Sequence, residues 1–221
     1  MSVPVPFHSR SLLRVLIGAV AALAILAGVA AGARAAGYVS LGDSYAAGPF
    51  ILNPALPFGC IKSDHNYPHL AAPGIGMTLR DPSCSGAATD DMFQPQDVDP
   101  DGPNPPQLDS LDASTEVVSL TIGGNDIGFS EIAESCVAPN PSSSPCQERY
   151  VSGGRDEIAE RIEATGPKVA AVLQEIHARS PQAKVYLLNY PAIFPETGAG
   201  CWPRCRSAPP TCSTCGRRSG S

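Results

Sequence analysis

The sequence has few charged residues and no cluster of basic residues. Charged residues make up 16% of its 221 residues, the formal net charge is -6, and the pI is about 5.1. A nucleic-acid-binding protein normally carries a basic stripe or patch, so this composition argues against a nucleic-acid partner. The chain also lacks a long apolar run, because the stretch from Val15 to Ala30 is shorter than the ~20 residues that a membrane-spanning helix requires.

The N-terminal segment instead has the pattern of an export signal. Arg10 and Arg14 precede the apolar run, and Ala33-Arg34-Ala35 after it is typical of a cleavage site. A membrane anchor is the alternative. We predict a signal peptide over residues 1–35, a mature chain beginning at Ala36, secretion, and no stable membrane span after cleavage.

Two segments imitate metal sites incompletely. Residues 97–102 begin like a calcium loop, but the twelfth position is Leu108 rather than Glu, and Pro100 stiffens the turn. The residues from Cys201 to Cys215 have a zinc-like spacing without the paired knuckles of a zinc site. We therefore expect no metal and no cofactor, and we interpret residues 90–112 as a solvated loop.

Eight cysteines are present, at positions 60, 84, 136, 146, 201, 205, 212 and 215. An exported protein enters a compartment that permits disulfides. The short local loops suggest the pairs Cys60–Cys84 and Cys136–Cys146, although spacing alone does not fix connectivity. Free buried thiols are the alternative.

Hydrophobic patterning predicts an α/β sandwich. Residues 38–41, 116–122 and 184–189 are short, nearly continuous apolar runs typical of buried strands. Residues 156–180 have helical periodicity, and we expect Gly166-Pro167 to break that helix. Strands alternating with helices and long loops indicate a mostly parallel sheet covered on both faces. We assign one domain to residues 36–200 and a Cys/Arg-rich tail, either disordered or a reading-frame artefact, to residues 201–221.

Three short motifs carry candidate chemistry. Ser44, in Gly-Asp-Ser-Tyr, follows the first mature strand where a helix begins, a position that exposes a hydroxyl. Gly86 can present its N–H to a ligand because it has no Cβ, and Asn125 can bring a side-chain amide to the same place. Each has a structural alternative: a helix-capping serine, a turn glycine and an Asx-turn residue. The nucleophile elbow of α/β-hydrolases fits less well, because that serine comes after several strands.

Together the motifs resemble the SGNH (GDSL) hydrolases, especially exported esterases and lipases of actinomycete type. YVSLGDSYAAG is similar to the family's first block, CSGA to its glycine block, and TIGGNDIGF to its asparagine block. The resemblance implies a flavodoxin-like three-layer α/β/α fold and cofactor-independent hydrolysis of small-molecule or lipid esters. It also implies that Ser44 is the nucleophile and that Ser44 N–H, Gly86 N–H and the Asn125 side chain form the oxyanion hole. In similar proteins disulfides hold the loops. We expect a monomer.

The family's fourth block, D-x-x-H, is absent from this sequence. After Ser44 the histidines are His65, His69 and His177, and we interpret all three as structural. A serine hydroxyl without a base is a poor nucleophile, so we expect this chain to hydrolyse esters poorly. One hypothesis is a chain truncated or frame-shifted after about Cys201, with an apolar sheet edge or face left uncovered. The other is a catalytically inactive secreted lipid- or ester-binding protein.

Overall fold

The computed structural model describes residues 37–137, 140 and 145–191. Its strands are β1 (Gly37–Gly42), β2 (Pro54–Ala55), β3 (Lys62–Ser63), β4 (Thr78–Arg80), β5 (Thr115–Thr121), β6 (Val151–Ser152), β7 (Arg155–Asp156) and β8 (Lys184–Leu187). Its α-helices are α1 (Ser44–Ala47), α2 (Tyr67–Gly74), α3 (Phe129–Ser135), α4 (Pro145–Tyr150) and α5 (Glu157–Arg179). The predicted export signal and the Cys/Arg-rich tail lie outside the described residues.

The central sheet is parallel and has the strand order β4-β1-β5-β8. All six residues of β1 are buried, as expected of an inner strand with both faces covered. Val39 and Leu41 of β1 pack with Val118 and Leu120 of β5 in the main core, to which helix α5 contributes Val172 and Ile176. The three predicted strands and the three-layer α/β fold are thus confirmed.

The opposite face of the sheet is more polar. The Tyr38 hydroxyl lies 2.8 Å from Ser119 Oγ, and the Tyr67 hydroxyl of α2 donates to the same oxygen at 3.0 Å.

At the β8 edge, β5 is the only strand partner within the described ranges, and Tyr186 and Leu187 are exposed. Within those same ranges, no helix is both long and apolar enough to cross a membrane.

Helix α5 corrects one sequence prediction. It runs without interruption from Glu157 to Arg179, with Pro167 inside it, so the predicted break at Gly166-Pro167 is wrong. Both residues are exposed, so water can reach the backbone carbonyl that loses its hydrogen bond to proline. Burial of Val172 and Ile176 holds the following half of the helix against the core, so tertiary packing outweighs local propensity.

The acidic segment 90–112 is also more ordered than predicted. It begins within the 3-10 helix Thr89–Met92 and contains a second 3-10 helix, Gln107–Ser110. Its members Met92, Leu108 and Leu111 belong to the main core, so the solvated-loop interpretation is wrong for this segment as a whole. The apolar residues between the aspartates anchor the loop although charge and proline dominate its composition.

The structure confirms both predicted disulfides. Cys60–Cys84 joins segments 24 residues apart, and Cys136–Cys146 closes a loop with a separation of 10. Cys60 and Cys84 are fully buried, whereas Cys136 packs with Ile132 and Tyr150 in a satellite cluster near α3 and α4.

Candidate active site

A cavity of about 780 Å³ lies where three neighbouring strands end. Ser44 follows β1, Asn125 follows β5 and Tyr190 follows β8, and all three residues line the cavity. The carboxyl ends of parallel strands meet at one edge of a sheet, which is where open α/β folds bind ligands. Ile162 and Val169 of helix α5 contribute apolar wall.

Ser44 stands at the junction between β1 and α1. It is the first helical residue, and the N-cap is Asp43, whose Oδ1 accepts a hydrogen bond from Tyr45 N at 2.9 Å. Ser44 is therefore not the capping residue that the structural alternative required. Its side chain is half-buried, and its hydroxyl has no hydrogen-bond partner among the described residues. The Ser44 hydroxyl is thus available to a molecule in the cavity.

The turn before Ser44 requires glycine. Gly42 has φ +145°, and a Cβ there would lie 2.4 Å from Thr121 O of the neighbouring strand. Any side chain would therefore push β1 away from β5 at the point where the chain enters α1. Asp43 N also donates to Thr121 O at 3.1 Å, which fixes the start of the turn to the sheet.

Gly86 is not one of the residues that line the cavity, but its neighbour Ala87 accepts a hydrogen bond from the cavity residue Asn125. It is exposed with φ +83°, and its N–H makes no hydrogen bond within the described residues. Its loop is tied to the nucleophile turn, because Cys84 N donates to Gly42 O at 3.0 Å. The structure therefore brings Ser44 and Asn125 into one cavity and holds Gly86 in the adjacent loop.

Asn125 and Asp126 connect their loop to the glycine loop. Asn125 Nδ2 donates to Ala87 O at 2.8 Å. The Ile127 N–H, which an Asx turn at Asn125 would engage, donates instead to Gly123 O at 3.3 Å. The Asp126 carboxylate accepts hydrogen bonds from both N and Oγ1 of Thr89, and its side chain is 2% exposed. These contacts fix the separation between the Asn125 amide and the loop that carries Gly86.

Tyr190 is a site residue that the sequence analysis missed. Its hydroxyl donates to Asp43 Oδ2 and accepts from Gly124 N at 2.9 Å, and its ring packs edge-to-face on Tyr45. Burial raises the pKa of Tyr190 well above its ordinary value, and the bond to Asp43 adds to that rise. Its position directly after a predicted strand was the available signal.

Asp43 is a buried carboxyl group with two donors. Burial raises the pKa of Asp43, while the Tyr190 hydroxyl and the Tyr45 N–H act in the opposite direction by stabilising the charged form. Its carboxylate is occupied by these contacts, so its evident role is to cap α1 and to connect the Ser44 turn with β8.

The three histidines after Ser44 are each engaged elsewhere. His65 Nδ1 lies 2.5 Å from Asp64 Oδ1, His69 Nδ1 lies 2.6 Å from Asn66 Oδ1, and His177 donates to the Leu173 carbonyl at 2.7 Å. None lines the cavity beside Ser44. Within the part of the chain that the structure describes, no group of three acidic, histidine or cysteine side chains is placed to hold a metal ion.

The fold and the cavity define a three-layer α/β protein with an available serine at a strand-to-helix turn, facing an amide-bearing loop. The family model of the GDSL-like Lipase/Acylhydrolase family matches residues 40–218, and the chain belongs to this family. The recognition from the motifs is thereby confirmed.

Relatives from Streptomyces share much of the sequence. The chain is 39% identical over 167 residues to Lipase 2 of Streptomyces coelicolor, covering 72% of this chain and 54% of that protein. It is 32% identical over 202 residues to Lipase 1 of the same organism, covering 84% and 67%. The chain thus spans about half to two thirds of the length of these relatives.

A solved structure shows the same fold. The extracellular lipase from Streptomyces rimosus superposes with a TM-score of 0.58 at 28% sequence identity, covering 75% of this chain and 64% of that one. The phospholipase A1 from Streptomyces albidoflavus gives a TM-score of 0.56 at the same identity and coverage.

Proposed function

We propose that this protein is a secreted carboxylic-ester hydrolase that uses Ser44 as its nucleophile. The observation that carries the proposal is the Ser44 hydroxyl, which has no hydrogen-bond partner among the described residues and shares a cavity with Asn125. The lipase and esterase relatives supply the reaction class, and the predicted export signal together with the extracellular relative supports secretion. Secretion is tested by N-terminal sequencing of culture supernatant, where we expect Ala36; an intact Met1 in a membrane fraction would contradict it.

The reaction proceeds by acyl transfer. Ser44 Oγ attacks the ester carbonyl carbon, its proton leaves to a base, and the negative charge that develops on the carbonyl oxygen is stabilised by N–H donors. We assign those donors to Ser44 N, Gly86 N and Asn125 Nδ2. The tetrahedral intermediate collapses and releases the alcohol, and water then hydrolyses the acyl-enzyme to the carboxylic acid. A small-molecule or lipid ester is the substrate, the protein acts as a monomer, and the chemistry needs no cofactor.

The mechanism requires a base that accepts the proton of the Ser44 hydroxyl. None of His65, His69 and His177 lines the cavity that contains Ser44, so the described residues place no histidine beside its hydroxyl. We therefore propose that the 221-residue chain turns over esters slowly. Serine hydrolases that lack a triad member keep roughly 10³–10⁴-fold acceleration over water through binding and the oxyanion hole.

The engaged histidines also favour a second candidate, a secreted protein that binds a lipid or ester without turnover. The two candidates differ in covalent chemistry. A hydrolase reacts with an organophosphonate at Ser44 and releases phenol from a short-chain aryl ester, whereas a binding protein does neither.

The experiment compares four proteins: the chain itself, Ser44→Ala, the chain continued by a segment with a D-x-x-H, and the same continued chain with its histidine replaced by alanine. Labelling of Ser44 and ester turnover are measured for each. We expect slow reaction in the chain, none in Ser44→Ala, and a rescue that requires the added histidine. Turnover that survives Ser44→Ala refutes the nucleophile. Full turnover by the unextended chain refutes the impairment and directs attention to His65, His69 or His177.

A further inference from the structure

We propose that residues 50–61, the apolar loop, dock the protein on the surface of an uncharged lipid aggregate. The choice of lipid as the occupant rests on the proposed ester-hydrolase function. Docking itself is a separate property that can be measured without catalysis.

The apolar loop exposes large hydrophobic side chains in one short segment. Their exposed fractions are Phe50 93%, Leu52 83%, Leu56 67%, Phe58 53% and Ile61 51%. Single exposed apolar residues are normal on a soluble protein, but a concentration of this kind marks an interaction surface. The apolar loop is therefore a candidate binding surface for an apolar partner.

The backbone under these side chains is firmly anchored. β2 pairs with β3, Ser63 Oγ donates to Leu52 O at 2.8 Å, and Gly59 N donates to Asp101 Oδ2 at 2.8 Å. The disulfide Cys60–Cys84 closes the end of the loop. Exposure of the apolar side chains is thus a fixed feature of the fold.

The loop also maintains an unfavourable backbone conformation. Phe50 has φ +67° and Ile61 has φ +47°. Bulky and β-branched residues rarely occupy this left-handed region, and strain of this kind persists where the surrounding structure imposes it, commonly at functional surfaces. The anchored contacts hold Phe50 and Ile61 in place at this conformational cost.

Charge favours a neutral lipid surface. The sequence from Ser44 to Ile61 contains no Asp, Glu, Lys, Arg or His. Lys62, at the base of the loop, is buried and donates to the Asp81 carbonyl, whereas Asp64 and Asp101 are exposed. An uncharged apolar tip with an acidic base matches a zwitterionic surface and opposes an anionic one.

The area of the loop is small for an interface with a second copy. Together with Ile51, which is 46% exposed, the exposed side chains of the loop provide roughly 700 Å² when about 175 Å² per side chain is weighted by its exposed fraction, below the about 800 Å² per partner of a standard protein interface. The loop also follows the nucleophile within a few residues of the chain. Phe50 is six residues after Ser44, so their Cα atoms are at most about 22 Å apart. Docking through this loop would bring the Ser44 cavity near the lipid surface.

The test is co-sedimentation of the full chain with phosphatidylcholine vesicles. The variant Phe50→Asn/Leu52→Ser removes two exposed side chains, and asparagine suits the left-handed backbone at position 50, so folding is preserved. The matched control is Val151→Ser, an exposed apolar residue on the separate β6–β7 hairpin. Urea unfolding confirms that all variants are folded.

We expect the parent chain and Val151→Ser to bind phosphatidylcholine vesicles equally. The loop variant should bind at least about tenfold more weakly, given the transfer free energy of a Phe and a Leu side chain. Equimolar addition of phosphatidylglycerol should weaken binding by the parent chain. Absence of vesicle binding by the parent, or equal binding by the loop variant, overturns the proposal. Stronger binding to the anionic vesicles also overturns it.

Two further measurements distinguish lipid docking from dimerisation and from ester hydrolysis. Sedimentation velocity without vesicles tests the second-copy alternative, since a dimer that dissociates in the loop variant would overturn lipid docking. Ser44→Ala should bind vesicles like the parent, and the loop variant should hydrolyse a water-soluble aryl ester at the parent rate. If neither this chain nor the chain continued by a D-x-x-H segment hydrolyses esters, while the parent still binds vesicles, the ester-hydrolase function is refuted and the docking result stands.

Discussion

The side-chain amide of Gln107 forms a reciprocal pair of hydrogen bonds with the backbone of Gly42. Gly42 N donates to Gln107 Oε1 at 2.7 Å, and Gln107 Nε2 donates to Gly42 O at 2.9 Å. Gln107 is fully buried, and Gly42 is two residues before Ser44. The same Gly42 carbonyl accepts from Cys84 N, so the glutamine supports the point where the nucleophile turn and the glycine loop meet.

Gln107→Leu should therefore destabilise the protein. Gly42 N–H would be left buried without an acceptor, which costs about 1–3 kcal/mol of the free energy of unfolding. Urea unfolding measures this loss, and the organophosphonate reaction at Ser44 should slow in parallel. Gln94→Leu, at an exposed glutamine in the same segment, is the control and should change neither quantity. Parent-like stability of Gln107→Leu would show that the paired hydrogen bonds contribute little.

Asn125→Ala tests the oxyanion donor. Loss of one such donor typically lowers kcat about 10²–10³-fold, and we expect that decrease with a short-chain aryl ester, in a form of the chain with measurable turnover. Ser130→Ala alters another polar residue lining the same cavity and should leave kcat near the parent value. An unchanged rate in Asn125→Ala would remove this side chain from the mechanism.

Tyr190→Phe should make stability more dependent on pH. The Tyr190 hydroxyl lowers the pKa of buried Asp43, so its removal raises that pKa further. A carboxyl group whose folded pKa exceeds its unfolded value near 4 favours folding at low pH, and this contribution is lost as pH rises through the folded pKa.

The variant should consequently lose more stability than the parent between about pH 4 and neutrality, with a deficit of about 1–3 kcal/mol at pH 7 that shrinks towards pH 4. Urea unfolding across this pH range provides the measurement. Tyr186→Phe, at an exposed tyrosine on β8, is the control. A deficit that is the same at every pH would mean that Asp43 is not the group affected.

The two disulfides should differ in their contribution to stability. In the chain-entropy model, removal of Cys60–Cys84 costs about 3–4 kcal/mol, and removal of the shorter loop Cys136–Cys146 costs somewhat less, about 3 kcal/mol. Paired Cys→Ala variants measured by urea unfolding would show the order. Removal of Cys60–Cys84 should also slow labelling of Ser44, because Cys84 N donates a hydrogen bond to Gly42 O. Removal of Cys136–Cys146 should leave the labelling rate unchanged. The reverse order would show that native-state packing outweighs loop entropy.

Local sequence patterns were sufficient for the strands and for the motif residues. The apolar runs that became β1 and β5 are largely buried in the parallel sheet they predicted, whereas three of the four β8 residues are exposed, so burial of that strand was wrongly predicted. The motifs at the ends of β1 and β5 line one cavity. Gln107 could not be found this way, because its partner is 65 residues earlier and its neighbours form a proline-rich segment. Helix α5 continues through Pro167 because its second half packs against the core. Local helix propensity does not report such packing, so the sequence predicted a break.

The contact between Thr89 and Asp126 has a consequence for how this protein can change in evolution. The buried Asp126 carboxylate accepts from both N and Oγ1 of Thr89 and lies 3.5 Å from Lys168 Nζ, so replacing Asp126 removes the acceptor of both Thr89 donors, whereas replacing Thr89 leaves the carboxylate its backbone donor and the lysine. The effects of the two replacements should be non-additive, because loss of the Thr89 hydroxyl costs less once Asp126 is absent. A lineage that accumulates one substitution at a time would meet a barrier here. Libraries that vary both positions together could cross it and reach arrangements of the Asn125 loop that stepwise selection does not sample.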